Sequence, residues 1–107
     1  MLILFDHSAP AGIARALRSH TVTKARDRGW HALTNGDLLT RAERASFDVL
    51  VTADKDMRYQ QNLKGRRLAL VVLSTPQWPI VKLNLQKIAE AVNAVKPGSY
   101  TEVQLSA

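Results

Sequence analysis

The chain reads as one α/β domain with a mainly parallel central sheet, and three observations predict it. Short apolar runs recur at Leu2–Phe5, Val49–Thr52 and Leu68–Leu73. Leu2–Phe5 and Leu68–Leu73 are continuous instead of alternating with polar residues, as in strands covered on both faces. Stretches with helical spacing of apolar residues separate the runs, and strands that alternate with helices build parallel sheets through crossover connections.

The first strand is expected at Leu2–Phe5, closed by Asp6. Ser8 and Pro10 then supply a cap and a first-turn proline for a helix that turns Ile13, Ala14 and Leu17 to one face. A weaker strand follows around His20–Thr23. Thr34 or Asn35 caps a second helix whose inward face is Leu38, Leu39, Ala42 and Ala45. Val49–Thr52 is the next strand, and Tyr59 and Leu63 suggest a short helical piece after Asp56 that ends near Gly65. The clearest helix carries Val81, Leu85, Ile88, Val92 and Val95 on one stripe, and Pro97-Gly98 stops it. Tyr100–Val103 can add an edge strand.

Composition bounds the chemistry. The 107 residues include 15 Lys plus Arg against 9 Asp plus Glu, a formal charge of +6. A chain of this size buries roughly 60–70% of its unfolded surface, enough for one core spanning residues 1–107. The absence of Cys excludes disulfides, thiolate nucleophiles and Cys-ligated zinc, so a metal here is held by oxygen or by the three His. Met1–Phe5 is interrupted by Asp6 too early for a signal peptide, and no run approaches the ~18 apolar residues of a membrane span. A cytoplasmic protein without membrane association is the expectation. A basic surface attracts polyanions, although it also serves simply to keep a small protein soluble.

In an open parallel sheet, sites form outside the carboxyl ends of the strands. Asp6 follows the first strand directly, Asp54 follows Val49–Thr52 by two residues, Asp56 lies one step beyond, and Asp37 falls in the first turn of the second helix. Each has a structural alternative as a turn residue, cap or first-turn helix acid. Converging on one edge, they would repel unless a cation intervened, and hard oxygen ligands suit Mg²⁺ or Mn²⁺. A divalent ion beside a basic surface is an arrangement for hydrolysing a phosphodiester. Lys55, Arg58, Lys64, Arg66 and Arg67 are the cations expected to line the approach of such a polyanion. Asp48 reads as a turn acid at the opposite edge and Glu43 as a solvated helix acid. Trp30 and Trp78 have the chemistry to stack on bases, but Trp in a small domain is usually core.

The segments Ile3-Leu4-Phe5-Asp6-His7, Asn35-Gly36-Asp37-Leu38-Leu39, Phe47 to Asp56 and Arg58-Tyr59-Gln60-Gln61-Asn62-Leu63 together resemble a short bacterial PIN-like family grouped with toxin–antitoxin ribonucleases, VapC-like relatives among them. The resemblance runs from Leu2 to Val103. It implies a three-layer α/β/α sandwich and a Mg²⁺- or Mn²⁺-dependent endoribonuclease acting as a toxin. A small cognate antitoxin would be its partner, and a homodimer is compatible with it. The family's acids match Asp6, Asp37 and Asp54 as metal ligands, with Asp56 a fourth candidate for catalysis. Many relatives carry Asn where Ser8 stands, and the chain is shorter than a full PIN domain. A PIN-like module that binds RNA or protein without catalysis is the second reading, and it does not need the three acids. Other phosphoryl-transfer folds fit less well. A Toprim-like domain calls for Glu in place of Asp6, and a haloacid-dehalogenase-type phosphatase for an acid in place of Ser8.

Overall fold

The computed structural model describes residues 1–59 and 65–107, with the backbone alone at 58 and 59. Five strands, β1 (Leu2–Phe5), β2 (Thr21–Lys24), β3 (Val49–Thr52), β4 (Ala69–Leu73) and β5 (Tyr100–Val103), form one sheet in the order β2-β1-β3-β4-β5. Every pairing is parallel: Ile3 sits against Val22 on one side and Val49 on the other, Val51 against Val71, and Val71 against Thr101. The edge strand expected at Tyr100–Val103 forms with those bounds, whereas the weak strand lies one residue further along than expected. The strand order makes the chain reverse its direction of growth between β1 and β3, a topological switch point at which open α/β sheets leave a crevice.

Both faces of the sheet are covered, which explains the continuous apolar runs. On one face Ile3, Phe5, Val49, Val51, Ala69, Val71 and Leu73 pack against Ile13, Leu17, Val81, Ile88 and Val92. On the other, Leu4, Leu50, Leu70 and Val72 pack against Ala25, Leu38, Leu39, Ala42 and Met57. All residues of β3 and β4 are buried, as central strands require.

Of the helices, α1 (Asn35–Arg44) is capped by Thr34, whose hydroxyl accepts from the Asp37 N–H. The helix expected after Pro10 is a 3₁₀ segment, Ala11–Ala16, closed by a bond from Leu17 N–H to the Ala14 carbonyl. Gly12 weakens α-helix there, and the Trp78 ring covers it so closely that a Cβ would overlap the ring. A second 3₁₀ turn, Ala25–Arg28, escaped expectation and ends at Gly29 in the left-handed region. The last helix is broken where one stripe was expected: α2 (Trp78–Val81), a 3₁₀ turn Lys82–Asn84, then α3 (Leu85–Asn93). At the break Asn84 has φ −121°, and its side-chain amide donates to the carbonyls of Ile80 and Ser106. A 3₁₀ turn at Lys55–Tyr59 opens the helical piece expected after Asp56. Its continuation through Leu63 lies outside the described residues.

Candidate functional site

With all strands parallel, their carboxyl ends share one edge of the sheet, and two buried polar residues meet there. Asp6 is 5% exposed and Thr52 fully buried, the polar pair of the described core. They extend β1 and end β3, the strands that flank the switch point. The Asp6 N–H still bonds to the Val51 carbonyl at 3.2 Å, so the carboxylate is placed by the sheet itself.

Each oxygen of that carboxylate is engaged. Oδ1 accepts from the Ser8 N–H at 3.0 Å, the Ser8 hydroxyl at 2.7 Å and the Ala9 N–H at 3.2 Å, while Oδ2 accepts from the Thr52 hydroxyl. A carboxylate has about four acceptor positions, and Asp6 has four protein donors. Ser8 Oγ accepts in turn from the Ala53 N–H at 2.8 Å, and Thr52 Oγ1 from the Asp54 N–H at 3.0 Å. The loops after β1 and β3 are thereby sewn together through side chains. No buried side-chain polar atom among the described residues lacks a partner.

Asp54 is half-buried and caps the turn that follows it. Its Oδ1 accepts from the Asp56 N–H at 2.9 Å, and its carbonyl from the Met57 N–H at 3.0 Å. Asp56 and Lys55 are exposed beside it, and Lys55 lines a cavity of about 300 Å³ with Ser74, Glu102 and Gln104. Asp37 is exposed in the first turn of α1, where the helix dipole favours its charge. That turn is at the carboxyl edge, because Glu43 near the other end of α1 reaches the start of β4. The four sequence-nominated acids thus share an edge. Among the described residues, however, no three acidic or His side chains gather as a metal-holding group.

The nominated cations divide. Lys55 is at the carboxyl edge. Arg66 and Arg67 precede β4 and stand at the amino edge, where Arg66 Nη2 donates to Thr40 Oγ1 at 3.4 Å and Arg67 lines a cavity with Glu43, Ser46 and Asp48. They do not line an approach to Asp6 in this arrangement, since parallel strands separate the two edges by the sheet's full height. Lys64 and the Arg58 side chain lie outside the described residues.

The remaining acids hold the amino edge together. Asp48 Oδ2 accepts from the Leu2 N–H at 2.7 Å, in keeping with a turn acid at the opposite edge. Glu43, expected to be solvated, brackets the start of β4 by accepting from the Arg67 and Leu68 N–H groups at 2.9 and 2.8 Å. The two Trp are packing residues: Trp30 meets Phe47 edge-on at 6.1 Å, and Trp78 lies under the Arg15 guanidinium.

Sequence reasoning took Ser8 for a helix cap and missed Thr52, along with a second cavity at Asp6, about 370 Å³, whose lining includes His7, Lys24, Arg26 and His31. The signal for that cavity was available: Lys24 ends β2, so the rule that drew attention to Asp6 and Asp54 applies equally there. No family model, curated protein or solved structure matches this chain. No helix among the described residues is long and apolar enough to cross a membrane.

Proposed function

We propose that the chain is a metal-dependent endoribonuclease of PIN-like type, folded as a three-layer α/β/α sandwich and acting in the cytoplasm as the toxin of a toxin–antitoxin pair. The observation that carries this reading is the buried Asp6 carboxylate at the switch point, with Asp54 at the end of the adjoining strand β3. Four donors hold that carboxylate in place at the carboxyl edge, beside the cavity that opens towards β2. The sandwich is supported by the two apolar clusters on opposite faces of the sheet, and the RNA substrate by the charge of +6.

The donor set fits Mg²⁺ or Mn²⁺ in kind, since both prefer carboxylate oxygen. It falls short in number. Mg²⁺ is commonly held by one or two carboxylates plus substrate phosphates and waters, so Asp6 and Asp54 would hold a cation only with RNA oxygens completing its shell and with one of the four Asp6 hydrogen bonds given up. When bound, such an ion lowers the pKa of a water and stabilises the leaving oxygen. The chain's own share is positional: Ser8 and Thr52 fix the Asp6 carboxylate, and the Asp56 N–H orients that of Asp54.

The second reading, an RNA- or protein-binding module without catalysis, is favoured by one observation: all four acceptor positions of Asp6 are already met by the protein. Incubation of the purified protein with total RNA separates the two. Cleavage that appears with Mn²⁺ or Mg²⁺, stops with EDTA and is absent in Asp54→Asn supports the nuclease. RNA binding without cleavage under any metal supports the module.

A further inference from the structure

The cavity of about 370 Å³ beside Asp6 opens between the loops that follow β1 and β2. Two guanidinium or ammonium side chains, Lys24 and Arg26, and two imidazoles, His7 and His31, line it, and all four residues are exposed. None of these side chains has a hydrogen-bond or ion-pair partner among the described residues. The one carboxylate in the lining is Asp6, whose oxygens are committed to Ser8, Ala9 and Thr52. Two cations therefore face the concave space against the single negative charge of Asp6, and among the described residues neither is ion-paired. Arg15 and Arg28, by contrast, rest on aromatic rings, Arg15 on Trp78 and Arg28 on Trp30 and Phe47.

We infer that this cavity binds a phosphate group of the RNA, seated among His7, Lys24, Arg26 and His31 next to the Asp6 edge. The inference rests on the nucleic-acid reading of that edge and adds to it where the strand lies: over the ends of β1 and β2, away from Arg66 and Arg67. A phosphate takes charge-assisted hydrogen bonds from ammonium, guanidinium and imidazole N–H donors. Its backbone contacts also position a strand independently of base sequence.

The histidines give a local readout. His20, the third one, is far from the cavity, with its ring held between the Met1 amino group and Asn93 Oδ1. In EDTA, at constant pH, imidazole NMR signals of the wild-type chain are followed as 5′-AMP or adenosine is added. The expected result is movement of His7 and His31 with 5′-AMP, none with adenosine, and a stationary His20. In parallel, affinity for a short single-stranded oligoribonucleotide is compared between K24Q/R26Q and a charge-matched control, K82Q/K96Q. The cavity pair should lose at least tenfold and the control less than twofold. The salt slope of the cavity pair should fall by about 0.7, the share of one single-strand phosphate contact. Unmoved His7 and His31, equal effects of adenosine and 5′-AMP, or equal losses in the two double variants would overturn the assignment. The binding test holds no metal and so does not depend on cleavage: a chain that binds in this way but cleaves no RNA when Mn²⁺ or Mg²⁺ is supplied refutes the nuclease reading and leaves the phosphate site standing.

Discussion

The Thr52 hydroxyl, fully buried at the end of β3, donates to the Asp6 carboxylate at the end of β1. That one bond joins the two strands that flank the switch point. The same Thr52 oxygen accepts from the Asp54 N–H, so the position of Asp54 depends on how Asp6 is held. The carboxyl edge consequently behaves as one hydrogen-bonded unit.

Asp6→Asn is expected to destabilise the fold. The amide replaces one acceptor oxygen with an NH₂ donor, and every neighbour of Asp6 is already a donor. Leaving buried donors facing each other costs about 1–3 kcal/mol, a drop of several degrees or more in Tm for a chain of this size. Thermal melting followed by circular dichroism measures it.

Thr52→Val should cost a similar ~1–3 kcal/mol, because the isosteric side chain leaves Asp6 Oδ2 and the Asp54 N–H without their partner. Thr52→Ser retains the hydroxyl and should recover most of that loss. Urea unfolding of the two variants side by side checks the difference; a smaller loss in Thr52→Val, which keeps a γ-methyl, than in Thr52→Ser would assign the effect to packing of the methyl group.

Asp54→Asn should leave stability within about 0.5 kcal/mol of wild type, since Asn caps a helical turn about as well as Asp. It is the cleaner probe of function. Loss of metal-dependent RNA cleavage at unchanged Tm is the expected outcome of a nuclease assay run beside a melt.

Glu43→Ala removes the acceptor of two backbone N–H groups at the start of β4. A stability loss of about 1–3 kcal/mol is expected. RNA affinity should be unchanged once folding is accounted for, because Glu43 sits at the amino edge. A fluorescence-anisotropy titration with labelled RNA provides the second measurement.

The parallel sheet was legible in the sequence because β3 and β4 bury every side chain and so leave continuous apolar runs. Helix α1 was legible because Thr34 and the stripe of Leu38, Leu39 and Ala42 follow local rules. The break at Asn84 was not: Val81 to Val95 keep one stripe, and the interruption comes from a long-range bond to Ser106. The edge location of Asp6, Asp37 and Asp54 follows from strand and helix order, which sequence supplies. Their failure to gather as a trio depends on where α1 sits in space, which it does not. Arg66 and Arg67 were expected near the acids because an acidic site needs cations to attract RNA, yet they precede β4 and so stand at the other edge.

Paramagnetic broadening by Mn²⁺ in the presence of a non-cleavable single-stranded RNA analogue tests the central claim most directly. Broadening centred on the backbone amides of Ser8, Thr52 and Asp54, lost in Asp54→Asn, is the result this account requires. Broadening centred on Glu43 and Asp48 at the amino edge, or none at saturating RNA, would contradict a metal-dependent site at the carboxyl ends of β1 and β3.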